Sequence, residues 1–195
     1  MANIAVQAVP QSRTQSVSRQ ILLVAGASLL MAILARFSTP LPFTPVVLTL
    51  SNLGVLFIAL TLGSRRAAAA MLLYLAEGAM GLPVFSNGGL GGIAQLLGPT
   101  GGYLMAYPLA AFAAGWIAER GNRNLLRMSV AAIAGELVLF AGGITWLISL
   151  TGVPFGQAAN WGVYPFAFAE IAKIMAAVGS SLRLHRSSRL SGLFV

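Results

Sequence analysis

The sequence predicts an all-α integral membrane protein with six transmembrane helices. Three observations carry that expectation. Of 195 residues, 57% are hydrophobic and only 8% are charged, against about 25% charged in an ordinary soluble domain. The apolar residues gather into six runs, near 20–37, 46–63, 66–82, 102–119, 125–150 and 165–182. Each run reaches the roughly 17–20 residues that a spanning helix needs, and the fifth exceeds it. Finally, ten of the eleven arginines flank these runs on one side of the topology, and Arg36 alone falls on the other side.

Residues 1–19 are polar and rich in Gln and Ser, which predicts a disordered tail. The first run lacks a clean small-x-small cleavage site and Arg36 follows it at once, so it reads as a retained helix and not as a signal peptide. The second and third runs are separated only by Gly63-Ser64-Arg65, a tight helical hairpin. The fifth is long enough to tilt, or to break at Gly142-Gly143. Strand-like alternation is absent, so a barrel is not expected. The membrane domain is placed at 20–184 and a second tail at 185–195.

The net charge of +8 is distributed by topology. Arg13 and Arg19 precede the first run. Arg65 and Arg66 lie between the second and third, and Arg120, Arg123 and Arg127 between the fourth and fifth. Arg183, Arg186 and Arg189 follow the sixth. All ten fall on one side of a six-helix topology, which the positive-inside rule makes cytoplasmic, together with both termini. Arginines so placed suit lipid headgroups better than nucleic acid. Cysteine is absent and His185 is the only histidine. That leaves no support for a disulfide framework, a thiolate or histidine metal site, or a Ser-His pair. No GxxxxGK[ST] phosphate loop is present, so this chain is not an ATPase. A transport protein without catalysis of its own is expected. Acid–base chemistry by Glu170 and Lys173 would need a second motif, which the sequence lacks.

The segments 83–101 and 151–164 then lie outside. Both are uncharged and glycine-rich. Loops this long are usually functional or disordered. Val84, Phe85, Leu96, Leu97 and Trp161 would be left wet in a solvated loop, so both are expected to fold down as lids. Beneath them, Glu77, Glu136, Glu170 and Lys173 lie inside apolar runs. Ionisable groups there cost about 2.5–3.5 kcal/mol each at a helix centre and point to function. At about 1.5 Å rise per residue, Glu77 and Glu170 lie at similar depth, roughly 7–8 Å below the outer ends of their helices, with Glu136 nearer mid-span. Glu170 and Lys173, three apart, share a helix face and are able to neutralise each other. The candidate substrate-binding residues are Ser51, Asn52, Glu77, Ser86, Asn87, Tyr103, Tyr164, Glu170 and Lys173, with Gln95 among the further polar groups. Gly98-Pro-Thr-Gly-Gly opens the fourth run. Its free N–H groups suit an anion, and a cap by Thr100 is the alternative.

Several short motifs in order resemble one family: Pro42-Phe-Thr-Pro-Val, Gly63-Ser-Arg-Arg, Leu73-Tyr-Leu, Gly81-Leu-Pro-Val-Phe and Gly98-Pro-Thr-Gly-Gly-Tyr. The chain resembles BioY, the biotin-binding S component of energy-coupling-factor (ECF) transporters, from about Pro40 to Tyr107 and again at Pro165 to Lys173. The resemblance implies an S-component bundle of six helices in the plasma membrane. It implies biotin captured from outside, and a transmembrane coupling protein with a pair of ATPases as partners. No cofactor is implied. The ureido ring would meet carboxylate and amide groups. The tail carboxylate would meet Lys173, Arg36 or the Gly98–Gly102 segment. Small residues Ser28, Ala32 and Ala35 on the first helix would serve docking to the coupling protein, or else packing within the bundle. Two departures concern the ligand. Ala169-Glu170 stands where the family has Gly-Asp, and Leu50-Ser51-Asn52-Leu53 stands where it has Leu-Gln-Thr-Leu. A self-sufficient proton-coupled carrier, or an S component for another vitamin, are the alternative functions.

Overall fold

The computed structural model describes residues 13–87 and 89–191. In chain order the elements are α1 (Arg13–Arg36), β1 (Ser38–Thr39), β2 (Leu48–Thr49), α2 (Ser51–Leu62) and α3 (Ser64–Ala79). There follow α4 (Gly92–Leu96), α5 (Gly101–Glu119), α6 (Leu125–Thr151), α7 (Phe155–Gly162), a 3-10 turn (Tyr164–Phe166) and α8 (Ala167–Ser191). The six long elements α1, α2, α3, α5, α6 and α8 correspond to the six apolar runs.

Three boundaries differ from expectation, each for a local reason. The second helix starts at Ser51, five residues late. Pro42 and Pro45 oppose helix, and the β-branched stretch that follows instead pairs antiparallel, with Ser38 opposite Thr49 and Thr39 opposite Leu48. The first helix starts at Arg13, so residues 13–19 of the expected disordered tail are helical; residues 1–12 of that tail lie outside the described residues. The last helix runs on to Ser191, so 185–191 continues it and is not a separate tail, while 192–195 lie outside the described residues. α6 is unbroken at Gly142-Gly143. Those glycines let α5 approach: a Cβ at Gly142 would lie 2.7 Å from that of Ala106, and one at Gly143 would enter the Tyr103 ring.

By length and composition, three described helices are apolar enough to cross a membrane: Val17–Arg36, Leu125–Thr151 and the continuous stretch Phe155–Ser187. α2 has 12 residues, α3 16 and α5 19. α2 therefore rises only about 18 Å, short of a hydrocarbon core of about 30 Å. Large apolar side chains cover the bundle's outside, among them Leu22, Leu29, Leu72, Leu109, Leu137 and Ile171. In lipid, such exposure carries no hydrophobic cost.

One end of the bundle is locked by Glu119 at the end of α5. Its carboxylate accepts from the Ser64 N–H at 2.9 Å and the Ser64 hydroxyl at 2.8 Å, capping α3. Arg123, just beyond, donates to the Leu60 carbonyl at 3.2 Å and touches the His185 ring of α8. The α2–α3 junction, the α5–α6 junction and the tail of α8 thus share one end. The arginines at these two junctions therefore lie at one end. At the α2–α3 junction Gly63 adopts φ +82°, and a Cβ there would collide with Glu119.

Gly63→Ala is therefore expected to lower the thermal unfolding midpoint in detergent. Gly81, with φ +91° but open space around it, serves as the control: Gly81→Ala carries only the backbone penalty of about 1 kcal/mol. Equal losses at the two sites would show that the Glu119 contact contributes nothing.

Candidate functional site

Away from the end that carries Arg65, Arg66 and Arg123 lies a cavity, part of it open to solvent. It draws on β2 (Thr49), α2 (Ser51, Asn52), α3 (Tyr74) and α5 (Tyr103, Leu104, Tyr107). It also draws on α6 (Phe140), both outer loops (Ser86, Gln95, Thr100, Gly162), Phe166 and Glu170.

The outer loops are seated by specific contacts. Phe85 inserts against α3, where a Cβ at Gly78 would occupy its ring, and meets Tyr74 edge-on at 5.4 Å. Gln95 is buried; its amide donates to the Ser86 hydroxyl at 2.9 Å and accepts from the Gly91 N–H at 3.2 Å. Trp146 of α6 donates to the Gly98 carbonyl at 2.9 Å. On the other loop, the Gly162 carbonyl accepts from the Tyr103 hydroxyl at 2.8 Å, and the Trp161 carbonyl accepts from Thr44 at 2.6 Å. The expectation of covered apolar loop residues holds for Phe85, which is buried, and for the half-buried Val84, Leu96 and Trp161. It fails for Leu97, which is exposed.

The polar chemistry converges at mid-bundle. Lys173 donates to Glu170 Oε1 at 2.7 Å, and their exposures are 7% and 5%. Glu170 lies in the first turn of α8, where the helix dipole favours a carboxylate. Asn52 donates to Glu136 Oε1 at 3.1 Å, and Glu136 is 4% exposed. Among the described residues, three buried side-chain atoms have no protein partner: Tyr74 Oη, Glu136 Oε2 and Glu170 Oε2. Two of these belong to cavity-lining residues, Tyr74 and Glu170. A buried polar atom without a partner costs about 1–3 kcal/mol. Such atoms are able to take a hydrogen bond from a bound molecule. Tyr74 offers a donor or acceptor and Glu170 an acceptor. Between them lie the apolar walls Val46, Leu104, Phe140 and Phe166, the composition of a small-molecule site.

Of the nine residues expected from sequence, the structure brings five to the cavity: Ser51, Asn52, Ser86, Tyr103 and Glu170. Lys173 stands one layer behind, bonded to Glu170. Three are placed elsewhere. Glu77 faces α1 and accepts from Ser28 at 2.5 Å. Asn87 clasps Arg36: it accepts from the guanidinium at 2.6 Å and donates to the Arg36 carbonyl at 3.1 Å. Tyr164 is 64% exposed. Of the proposed docking stripe, Ser28 and Ala35 are buried inside this chain's own bundle and Ala32 is partly buried, so in this arrangement they serve packing. Thr100 does not cap α5 with its side chain. Sequence reasoning missed Tyr74, Tyr107 and Phe140. The four-residue spacing of Tyr103 and Tyr107 places both on one face of α5, which was the available signal.

The sequence pattern of the BioY family matches residues 7–189. The chain belongs to the BioY family. It is 34% identical over 165 residues to biotin transporter BioY2 of Lactococcus lactis subsp. cremoris (strain MG1363), covering 85% of this chain and 89% of that protein. It is 41% identical over 140 residues to the probable biotin transporter BioY of Pyrococcus horikoshii, covering 72% and 81%. Among solved structures, it resembles the 2.1 Å crystal structure of the S-component for biotin from an ECF-type ABC transporter. That match has a TM-score of 0.81 at 24% identity and covers 90% of this chain and 95% of that one. The fold is thus that of an S component, and the role is transport by a multi-pass membrane protein.

Tyr103→Phe is expected to loosen α7 by about 1 kcal/mol, the net worth of one hydrogen bond. Hydrogen exchange should then speed up across Phe155–Gly162 while α6 stays protected. Unchanged exchange in α7 would show that the Gly162 contact does not hold it.

Proposed function

We propose that this chain captures biotin from the outer side of the plasma membrane and delivers it inward, as the substrate-binding component of an ATP-driven ECF transporter. The observation that carries the reading is the pairing of two unpartnered buried atoms, Tyr74 Oη and Glu170 Oε2, on residues of one apolar cavity in a BioY-family chain. Biotin's ureido ring has two N–H donors and one carbonyl acceptor. Glu170 Oε2 accepts from an N–H, and Tyr74 donates to the carbonyl. The bicycle and alkyl chain fill the apolar walls. Lys173, hydrogen-bonded to Glu170 Oε1, sets the carboxylate's position and leaves Oε2 facing the ligand.

The six long helices form six crossings, with both termini and the arginine-rich end in the cytoplasm. α2 is too short alone and is completed by the paired segment Leu48–Thr49 and the residues before it. Within the membrane domain 20–184, the cavity then opens outward beneath the two loops. Transport needs partners: a transmembrane coupling protein and ATPases, since this chain has no phosphate loop. The alternative, a self-sufficient proton-coupled carrier, is favoured by one observation, the three ionisable groups Glu136, Glu170 and Lys173 buried together. Uptake in cells lacking any coupling module, collapsing with the proton gradient, would select it.

Titration of biotin, riboflavin and thiamine against the purified chain, followed by tryptophan fluorescence, tests the ligand. Trp161 sits in the loop over the cavity and reports. Biotin alone is expected to bind below micromolar, and no response to it would remove the assignment. Glu170→Ala should weaken biotin more than tenfold, about 1.4 kcal/mol. Tyr74→Phe should weaken it less. An unchanged affinity in Glu170→Ala would take that carboxylate out of the site.

A further inference from the structure

We infer that the cleft at the arginine-bearing end binds an anionic glycerophospholipid, with one acyl chain laid between α1 and α8 and the phosphate held by Arg66 and Arg186. The cleft has a volume of about 1150 Å³, beyond the roughly 300–1,000 Å³ of sites built for drug-sized ligands. α2 forms its floor, since α2 packs against both α1 and α8. Leu22, Leu30, Phe57 and Leu182 belong to its apolar lining. From Leu22 to Leu30 the wall on α1 runs about 12 Å, at about 1.5 Å rise per residue. At Gly26 that wall is hollowed: a Cβ there would meet nothing within 4 Å.

Charge at the rim selects the headgroup. Arg66, Arg123 and Arg186 line the cleft against one acidic residue, Glu119. Three positive charges less one negative leave an excess of two. Glu119 is already engaged by the N–H and hydroxyl of Ser64. Arg123 reaches inward to the Leu60 carbonyl and the His185 ring. Arg66 and Arg186 are exposed, and among the described residues neither is ion-paired with a carboxylate. A guanidinium takes a phosphate through two parallel N–H donors. Basic hollows between membrane helices suit anionic lipid headgroups for this reason.

The apolar wall decides between a lipid and a free phosphate. A soluble anion would meet the arginines and leave the wall on α1 uncovered, whereas a phospholipid covers both. The site needs only a membrane. Its place in the cytoplasmic leaflet rests on the orientation proposed above.

Native mass spectrometry of the full chain in detergent tests the site, with phosphatidylglycerol and phosphatidylcholine of identical acyl chains as probes. Phosphatidylglycerol is expected to be retained about tenfold better. The double variant Arg66→Gln/Arg186→Gln should lose that preference. Arg65→Gln/Arg183→Gln removes as much charge from the same end, from residues outside the cleft lining, and should keep it. Gly26→Phe fills the hollow with the arginines in place and should lower phosphatidylglycerol retention about tenfold. Inorganic phosphate in excess should not displace the lipid. Equal retention of the two lipids overturns the proposal, and is the result expected of a cleft built for a partner's helix. Equal losses in the two double variants would make the preference a general charge effect. Displacement by phosphate would make the ligand a soluble anion, and unchanged retention in Gly26→Phe would put the acyl chain elsewhere. Each of these three also overturns it. If Gly26→Phe does not fold, the two arginine pairs decide. Biotin affinity is expected to be the same in all variants, so this site and the vitamin assignment fail separately.

Discussion

The arrangement of this protein depends on one constraint: ionisable groups inside an apolar bundle must meet partners there. Lys173 and Glu170 satisfy each other one turn apart on α8. Asn52 reaches from α2 to Glu136 on α6. The second contact ties α2 to α6, the first keeps the two charges of α8 satisfied on one face, and Tyr103 and Tyr107 of α5 line the same cavity as Asn52 and Glu170. Replacing one partner alone would leave a buried charge unpaired, which costs about 3–5 kcal/mol. The helices therefore cannot rotate freely about their own axes, even though most of their surface is uniformly apolar. Hydrophobicity puts them in the membrane, and the polar cluster sets which faces look inward.

Close approach does the rest. Gly142 and Gly143 let α5 and α6 meet over their upper halves, and Gly115 lets α5 approach the α2–α3 junction, where a Cβ would lie 2.5 Å from the Ser64 backbone. Without a hydrophobic gain between lipid-embedded helices, small residues and tight packing are the available source of association. The two ends differ in kind. The arginine-bearing end is fixed by charged contacts through Glu119 and Arg123. The opposite end is closed by loops without charged residues of their own, attached by hydrogen bonds, including the two-bond clasp of Asn87 by Arg36, and by inserted rings. Phe85 under Tyr74 and the Gly162 carbonyl on Tyr103 are each worth little alone. A loop held by so few contacts opens at modest cost.

Much of this was legible in the sequence, and the failures have physical causes. The six runs and the clustering of arginines at one end follow from composition, because lipid imposes both. The start of α2 was not legible, because Val46 and Val47 score as apolar in a helix or in an extended segment; the pairing of Thr39 with Leu48 decided it. Depth along a helix was readable from residue spacing, but rotation about the helix was not. Glu77 and Glu170 have matching depth, yet one faces Ser28 on α1 and the other the cavity. Asn87 was drawn to Arg36 by a contact 51 residues away in sequence, which no local pattern encodes. Tyr74 and Tyr107 passed as ordinary apolar bulk, since a hydroxyl at the tip of a ring hardly alters the hydrophobic pattern. Glu170, in contrast, was conspicuous because a carboxylate in an apolar run has few structural excuses.

In the proposed function the ligand seats its polar ring between Tyr74 and Glu170, beneath the two outer loops. A structure of the chain determined with biotin bound tests this most directly. The ureido ring is expected there, with a ring nitrogen within hydrogen-bond distance of Glu170 Oε2 and its carbonyl oxygen facing Tyr74. A second hollow exists at the arginine-bearing end, lined by Phe57, Arg66, Arg123 and Leu182. Biotin found there, or in the outer cavity with its ring turned away from Glu170, would contradict the central claim.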